Sequence, residues 1–558
     1  MSMVRIPLTQ PIRSRTASTA KDSRSVNCYF EGSVQGQREN IKRPGLLNTT
    51  ITPAMAAGQA QGIYKCVNGY LWIVINNAIY RIDSNFASVA SGTVAGTVQN
   101  VYFAESSNDD FLFFHNGTNG YVSSAEGAFA VIAAGRIYEV SILTGGAGYV
   151  TPTCTFSAPP SGTTATGTVD STGGVVTGVT ITNYGSGYVS APTCTINPVG
   201  GGSGATALVS LNGFPSGAGA LASGSVFLDG YTVVATKLGQ IYNSDPNDPF
   251  LWNPLNTIAV ESDPDFVVAI VKHFNFIVAF GSWSTEFFYN AANAEGSPFL
   301  RQDSYKNEIG CADGNSVVQY QQSVIYVGKS KTYGKSVYKL DGFTPEKISD
   351  QYIEKYLNAD TDTEIQAFAF RIAGHTFYVM TLPNLDKTFV YDTDQKIWYE
   401  WTSYYSGAEH AYKVWTATEF FVGTYGVDST SGALYKVDTN TYSDNSQPIY
   451  WRVVTNNLDA GTRHRKFFES GEVIGDKVSG TMSVNFSAND YNNFSAVRSI
   501  ALNDPRSIIW QLGQSRYRAY QFLVTADIPL RLSDFELSVQ AGEQASDPQL
   551  EAVAAQQS

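Results

Sequence analysis

AIYRID (residues 78–83), SVYKLD (336–341) and ALYKVD (433–438) are copies of one phrase: a small residue, a β-branched residue or Leu, Tyr, a polar residue, an apolar residue and Asp. QIYNSD (240–245) is a looser copy. Each ends a stretch that reads as a β-hairpin, with two apolar runs around a polar turn. Seven such stretches follow in order, at 70–83, 110–122, 225–242, 269–289, 317–341, 367–398 and 411–438. Their turns carry the residues that tight hairpins need, such as Asn76-Asn77 and Asp229-Gly230. One supersecondary unit recurring at a spacing of roughly 40–50 residues predicts a β-propeller. Six or seven blades fit, one of them closed by strands from both chain ends. Propellers serve as platforms or conduits.

Composition agrees with a sheet-built chain. Tyr (33), Phe (31) and Gly (50) are abundant and only 15% of residues are charged, which favours strands and tight turns over helices. No apolar run reaches the roughly 18 residues of a membrane span. MSMVRIPLTQ lacks the apolar stretch of a secretion signal, so assembly in a cytoplasm is expected. Five scattered cysteines (Cys28, Cys66, Cys154, Cys194, Cys311) without CxxC spacing read as free thiols rather than a disulfide framework or a zinc site. The formal charge is −13, unevenly spread. Residues 1–45 hold eight basic side chains against three acidic ones, +5, which leaves −18 for the rest. A basic start on an acidic body suits docking on an acidic neighbour, and Arg13, Arg15, Lys21 and Arg24 are the candidates. A solvated chain start fits the same residues.

The hairpin spacing breaks once. Residues 137–211 contain 14 glycines, no Lys or Arg, and only Glu139 and Asp170 as charges. The segment is internally duplicated: GAGYV and PTCT at 146–155 recur as GSGYV and PTCT at 185–195. Cys154 and Cys194 are equivalent positions, readable as a disulfide between the halves or as two small apolar side chains. The expected division is an N-terminal arm and ring-docking segment (1–60), a first propeller part (61–136), an inserted Gly-rich duplicated β domain (137–211), the rest of the propeller (212–447), a C-terminal β-sandwich-like unit (448–540) and a disordered tail (541–558). The insert should leave from a surface loop.

Catalytic constellations are missing from the sequence. None of the five histidines (115, 273, 375, 410, 464) pairs with Asp, Glu or Cys at metal-ligand spacing. His115 and His375 fall in hairpin turns and are expected to face solvent. There is no nucleophile elbow, and GGGSG (200–204) lacks the Lys-Ser/Thr of a phosphate loop. No enzyme activity, metal or cofactor is therefore expected. The loop acids Asp263, Asp265, Asp360, Asp362 and Glu364 are candidates for lining a channel, and solvated loop acids are the plainer reading. Arg463, His464, Arg465 and Lys466, with Arg516 and Arg518, form a basic cluster suited to phosphate or an acidic partner, or else one solvated sheet face.

The chain ends carry a family likeness. Arg24, Asn27, Tyr29 and Glu31, followed by Pro44-Gly45-Leu46, resemble the opening of the packaged-DNA stabilisation, or tail hub and nozzle, proteins of short-tailed phages. WQLGQSRYRAYQFLV (510–524) resembles an ending common among such tail proteins, and the duplicated insert resembles a β module of phage virion proteins. The resemblance implies a virion structural protein in a ring of six copies beneath the portal and adaptor. That ring would extend the DNA channel, retain the genome, contact a tail fibre or needle, and conduct double-stranded DNA without reading its sequence. An acidic wall lets phosphate slide, whereas a basic one binds it by counterion release. The competing reading is a carbohydrate-binding or glycan-degrading propeller used in host adsorption.

Overall fold

The computed structural model describes residues 2–9, 23–32, 38–106, 111–124, 127–132, 135–217, 219–261, 263–360, 364–421, 423–462 and 464–542. The fold is all-β, with one α-helix among the described residues, Gln351–Ala359. The chain divides into two compact units. One comprises residues 51–347 with 430–432, the other residues 1–50, 348–429 and 433–558.

Besides the two sheets of residues 137–211, the first unit contains five antiparallel sheets in chain order: blade 1 (60–93), blade 2 (102–131), blade 3 (226–259), blade 4 (267–307) and blade 5 (310–347). Each is a four-strand meander, with one extra short strand in blade 5. Their central strands are apolar without interruption because both faces are covered. Blade 2 illustrates this: Leu112 and Phe114 pack with Trp72 and Val74 of blade 1. The alternate Phe111 and Phe113 pack with Phe227, Val234 and Trp252 of blade 3. The pattern repeats in blade 4, where Ile277 and Ala279 meet Val233 and Ala235 of blade 3. Val278 and Phe280 there meet Val324 and Tyr326 of blade 5. The recurring phrase is the third strand of its blade in every case: Ala78–Ile82, Gln240–Asn243, Ser336–Asp341 and Leu434–Asp438.

Residues 137–211 hold a core of their own, including Val140, Tyr149, Phe156, Val176, Tyr188 and Ile196. The segment enters and leaves through one antiparallel pair, Ile137–Ala147 with Ser203–Leu211, in which Ile137 faces Leu211. The two PTCT copies pair with each other, Thr155 opposite Thr195, with Cys154 opposite Ile196 and Phe156 opposite Cys194. The duplication is thereby a local pseudo-twofold. Each G-x-G-Y tyrosine reaches into the other copy: the Tyr149 hydroxyl accepts from Ala205 N–H (3.1 Å) and Tyr188 from Ala165 N–H (2.9 Å). Gly146 and Gly185 allow this. Both have positive φ, and a Cβ on either would lie 2.8 Å from the tyrosine ring three residues on. Cys154 and Cys194 are free thiols.

The second unit holds two more meanders. Blade 6 (366–405) begins after the helix, whose first turn is capped by Asp350 accepting from Ile353 N–H at 3.0 Å. Blade 7 (414–438) has only three strands of its own, and its fourth is Gly45–Asn48, paired antiparallel with Leu434–Asp438. The last strand of blade 6 continues sideways: Val26 pairs with Glu400, and Arg24–Val26 pairs in turn with Trp451–Val454. The result is a ten-stranded sheet running on into 481–524. A six-stranded sheet built from Ser2–Pro7, Cys28–Gly32, Arg38–Lys42, Lys466–Gly475, Ser507–Ser515 and Arg531–Ala541 supplies the facing layer. Phe30, Phe535 and Leu537 of this layer share one core with Trp451, Met482, Tyr520 and Phe522, a sandwich arrangement.

Candidate functional site

Of the residues that carried the N-terminal likeness, Asn27, Pro44, Gly45 and Leu46 meet at one buried clasp in the second unit. Asn27 sits between two strands with φ +57°, a left-handed conformation that Asn tolerates. Its side chain accepts from Arg43 Nε (2.9 Å) and Thr402 N–H (2.8 Å), and donates to Thr402 Oγ1 and Tyr450 O. Arg43 is fully buried. Its Nη1 donates to Asp444 Oδ1 (2.9 Å) and Pro44 O (3.0 Å), and its Nη2 to Asp444 Oδ2 (2.6 Å) and Thr402 O (2.7 Å). The guanidinium also lies 4.9 Å from the Tyr412 ring centre. Burial pulls its pKa down, but the Asp444 carboxylate outweighs that and holds it up. Gly45 follows at a point where any Cβ would lie 2.2 Å from Ser443 O. Leu46 is buried opposite Val437. Tyr29 packs edge-on to His375 and Phe377. The clasp thus fastens the strand that completes blade 7.

The sequence-derived site residues scatter. Arg13, Arg15 and Lys21 lie outside the described residues; Arg24 starts the strand Arg24–Val26 beside Val454. Asp263 and Asp265 lie in the first unit, before blade 4. Asp263 is held by Lys306 (3.0 Å) and Lys331 (3.5 Å), and the Lys306 hydrogen bond lowers its pKa. Asp265 accepts from Trp283 N–H (2.7 Å) and Ser284 N–H (3.1 Å), so it fixes the turn within blade 4. In the second unit, Asp360 caps the C-terminal end of the helix and is buried, Asp362 lies outside the described residues, and Glu364 is exposed.

Three readings are corrected by burial. His115 is fully buried rather than solvent-facing. Its Nε2 lies 2.8 Å from Gly224 O, at the start of blade 3, and its Nδ1 accepts from Gly117 N–H at 3.1 Å. Burial pushes its pKa down to about 4. His375 is buried too, with Nδ1 2.8 Å from Asp392 Oδ2, and that hydrogen bond raises its pKa. The basic cluster is not a single solvated face. Lys466 and Arg518 are 1% exposed. Lys466 donates to the carbonyls of Thr462, His464 and Arg516. Arg518 lies 3.8 Å from the Phe486 ring centre and 4.2 Å from that of Phe468, with Nη1 on Leu512 O at 2.7 Å. Arg463 lies outside the described residues, and His464, Arg465 and Arg516 are exposed. The signal missed in sequence was Arg43 immediately before Pro-Gly, a cation placed where the backbone is most crowded. Among the described residues no three His, Cys, Asp or Glu side chains come together as metal ligands, and no helix is long and apolar enough to cross a membrane.

Stacked four-stranded meanders, one completed by an N-terminal strand, define a β-propeller protein whose polar network is structural. Residues 220–442 match the family model described as bacteriophage P22 Gp10, beta-propeller. Through this segment, blades 3 to 7, the chain is similar to the phage DNA-stabilisation proteins. The terminal motifs and the insert lie outside the matched residues. No curated protein matches the chain in sequence. Solved structures similar to it include the extracellular domain of BT4673 from B. thetaiotaomicron, at 8% identity over 90% of this chain and TM-score 0.36. This chain spans 62% of that domain's length. BamB from Moraxella catarrhalis matches at 9% identity over 78% of this chain and 98% of its own, TM-score 0.34. YCF48 bound to D1 peptide matches at 8% over 71% and 98%, TM-score 0.33.

Proposed function

We propose that this protein is the tail hub or nozzle of a short-tailed phage. Six copies form a ring below the portal and adaptor, assembled in the host cytoplasm. The ring extends the DNA channel, retains the packaged genome and conducts it at ejection, with a tail fibre or needle docked on it. The observation that carries this reading is the family match across five consecutive blades. The net charge of −13 supports a channel role, because phosphate slides past acids and is retained by clustered bases. Arg13, Arg15, Lys21 and Arg24 are the proposed docking residues toward a neighbouring copy. Asp362 and Glu364 are the acids proposed to face DNA, since Asp265 and Asp360 hold a turn and a helix end and Asp263 is paired with Lys306 and Lys331.

Cryo-electron microscopy of the virion tests the reading. A six-fold ring of this chain on the tail axis, touching the portal-proximal proteins, is expected. Density for the chain on the capsid or in a peripheral fibre overturns it. Charge reversal of Arg13, Arg15 and Lys21 to Glu should lower incorporation into tails. Normal incorporation removes the docking assignment while leaving the hub assignment standing.

A further inference from the structure

In the second unit, a cleft of about 500 Å³ opens between the hairpin ends of blades 6 and 7. Arg371, Glu419, Phe421, Lys436, Asp438 and Asn440 are among its lining residues. Two cations and two anions cancel, so the cleft has no bias toward an ion of either sign. Lys436 Nζ and Asp438 Oδ1 form a loose ion pair at 3.8 Å, longer than a hydrogen bond. Arg371 and Lys436 supply only donors, Glu419 and Asp438 only acceptors, and Asn440 both.

Phe421 is the odd member. It is 53% exposed and sits at φ +51° in a tight turn, opposite the Ala373-Gly374 turn on the cleft wall. Positive φ is uncommon for a bulky side chain, and positions of this kind favour Asn, Asp or Gly. Its neighbour Phe420 is buried and meets it edge-on at 4.3 Å between ring centres. An aromatic ring is therefore presented at the cleft by a backbone that a smaller polar residue would adopt with less strain.

We propose that this cleft binds a neutral saccharide of the bacterial surface. One apolar sugar face would lie on the Phe421 ring, with hydroxyls satisfied by the Arg371, Glu419, Lys436, Asp438 and Asn440 side chains. Balanced charge argues against a polyanion. A lining this polar argues against a protein hot spot, whose centre is depleted of charge. The concavity and the mixture of donors and acceptors match a polyhydroxylated ligand. This site is separate from the DNA-channel reading and stands or falls independently of it.

The test is binding of the purified full-length protein to an array of bacterial O-polysaccharides and capsular polysaccharides. Oligosaccharide fragments of the best binder are then titrated to separate recognition of free sugar from recognition of long chains. Phe421→Asn and Arg371→Gln are the variants. Phe421→Asn should weaken binding at least tenfold while leaving the melting temperature unchanged or higher, because Asn accepts the left-handed backbone. Arg371→Gln should weaken it as well. Retention of no saccharide by the wild type, or wild-type binding by Phe421→Asn, overturns the proposal. So does a Phe421→Asn protein whose only defect is in self-assembly, which assigns the cleft to a neighbouring copy.

Discussion

Arg43→Met removes the centre of the clasp and tests whether the N-terminal likeness marks a structural lock. Methionine fills much of the same volume but leaves Asp444, at 4% exposure, without its two Arg43 hydrogen bonds of 2.9 and 2.6 Å. The Ser403 hydroxyl, 2.8 Å away, still donates to that carboxylate. The carbonyls of Pro44 and Thr402 lose a donor as well. Breaking one partner of a buried pair costs about 3–5 kcal/mol, whereas replacing both by apolar groups is often neutral. The loss should appear first where the clasp acts, at Gly45–Asn48 and its partner strand Leu434–Asp438. Native-state hydrogen exchange reads local opening there without assuming that a chain of two units unfolds in one step. At 1.4 kcal/mol per factor of ten, protection should fall by roughly two to three and a half orders of magnitude. The double variant Arg43→Met/Asp444→Leu should recover most of it. A change below tenfold in the single variant, or a double variant as unprotected as the single, would refute the assignment of the pair as the lock.

Other outcomes follow from the same geometry. His115 holds a pKa of about 4 against an ordinary 6.5, so the unfolded chain takes its proton first as pH falls. Its contribution is complete above pH 6.5 and drops by about 3 kcal/mol on going down to pH 4; thermal melts of His115→Gln between pH 4 and 7 should show a flatter slope than wild type. Gly45→Val drives a Cβ toward Ser443 O, 2.2 Å away, and should destabilise the second unit by about 1–3 kcal/mol, measured by urea unfolding. Excising 137–211 with a short Gly-Ser join should leave the melting of the blades intact, because Ile137 and Leu211 are paired neighbours; loss of blade folding would make the segment part of the blade core. Gly185→Ala should unfold only that segment, visible as lost exchange protection within 137–211.

Local order was legible in the sequence, and so was the closure of one blade by strands from both chain ends; which strand makes that closure was not. The hairpins declared themselves because each blade's strands are consecutive and both faces of the inner strands are apolar, as in Phe111–His115. The Tyr phrase stood out because it fills one position, the third strand, in four blades. The strand Gly45–Asn48 carries no comparable signal. It is four residues long and half exposed, and its partner is near the other end of the chain. Histidines and cations misled for a related reason. His115 borders a turn in its own hairpin, yet the next blade buries it. Arg518 lies in a basic stretch, yet Phe468 and Phe486 arrive from other strands to enclose it. Residues whose environment comes from sequence neighbours were read well; those enclosed by distant strands were not.

The completion of blade 7 by an N-terminal strand has a consequence for synthesis. Leu46 leaves the ribosome long before Val437, its partner across the strand pair. At 5–20 residues per second, the intervening stretch of about 390 residues takes roughly 20–80 s to translate. During that interval the strand's backbone donors and acceptors have no sheet to join, and an unpaired strand invites pairing with a neighbouring nascent chain. Where several ribosomes read one message, the first error open to this polypeptide is an exchange of N-terminal strands between two copies, giving a swapped dimer in place of a monomer ready for assembly.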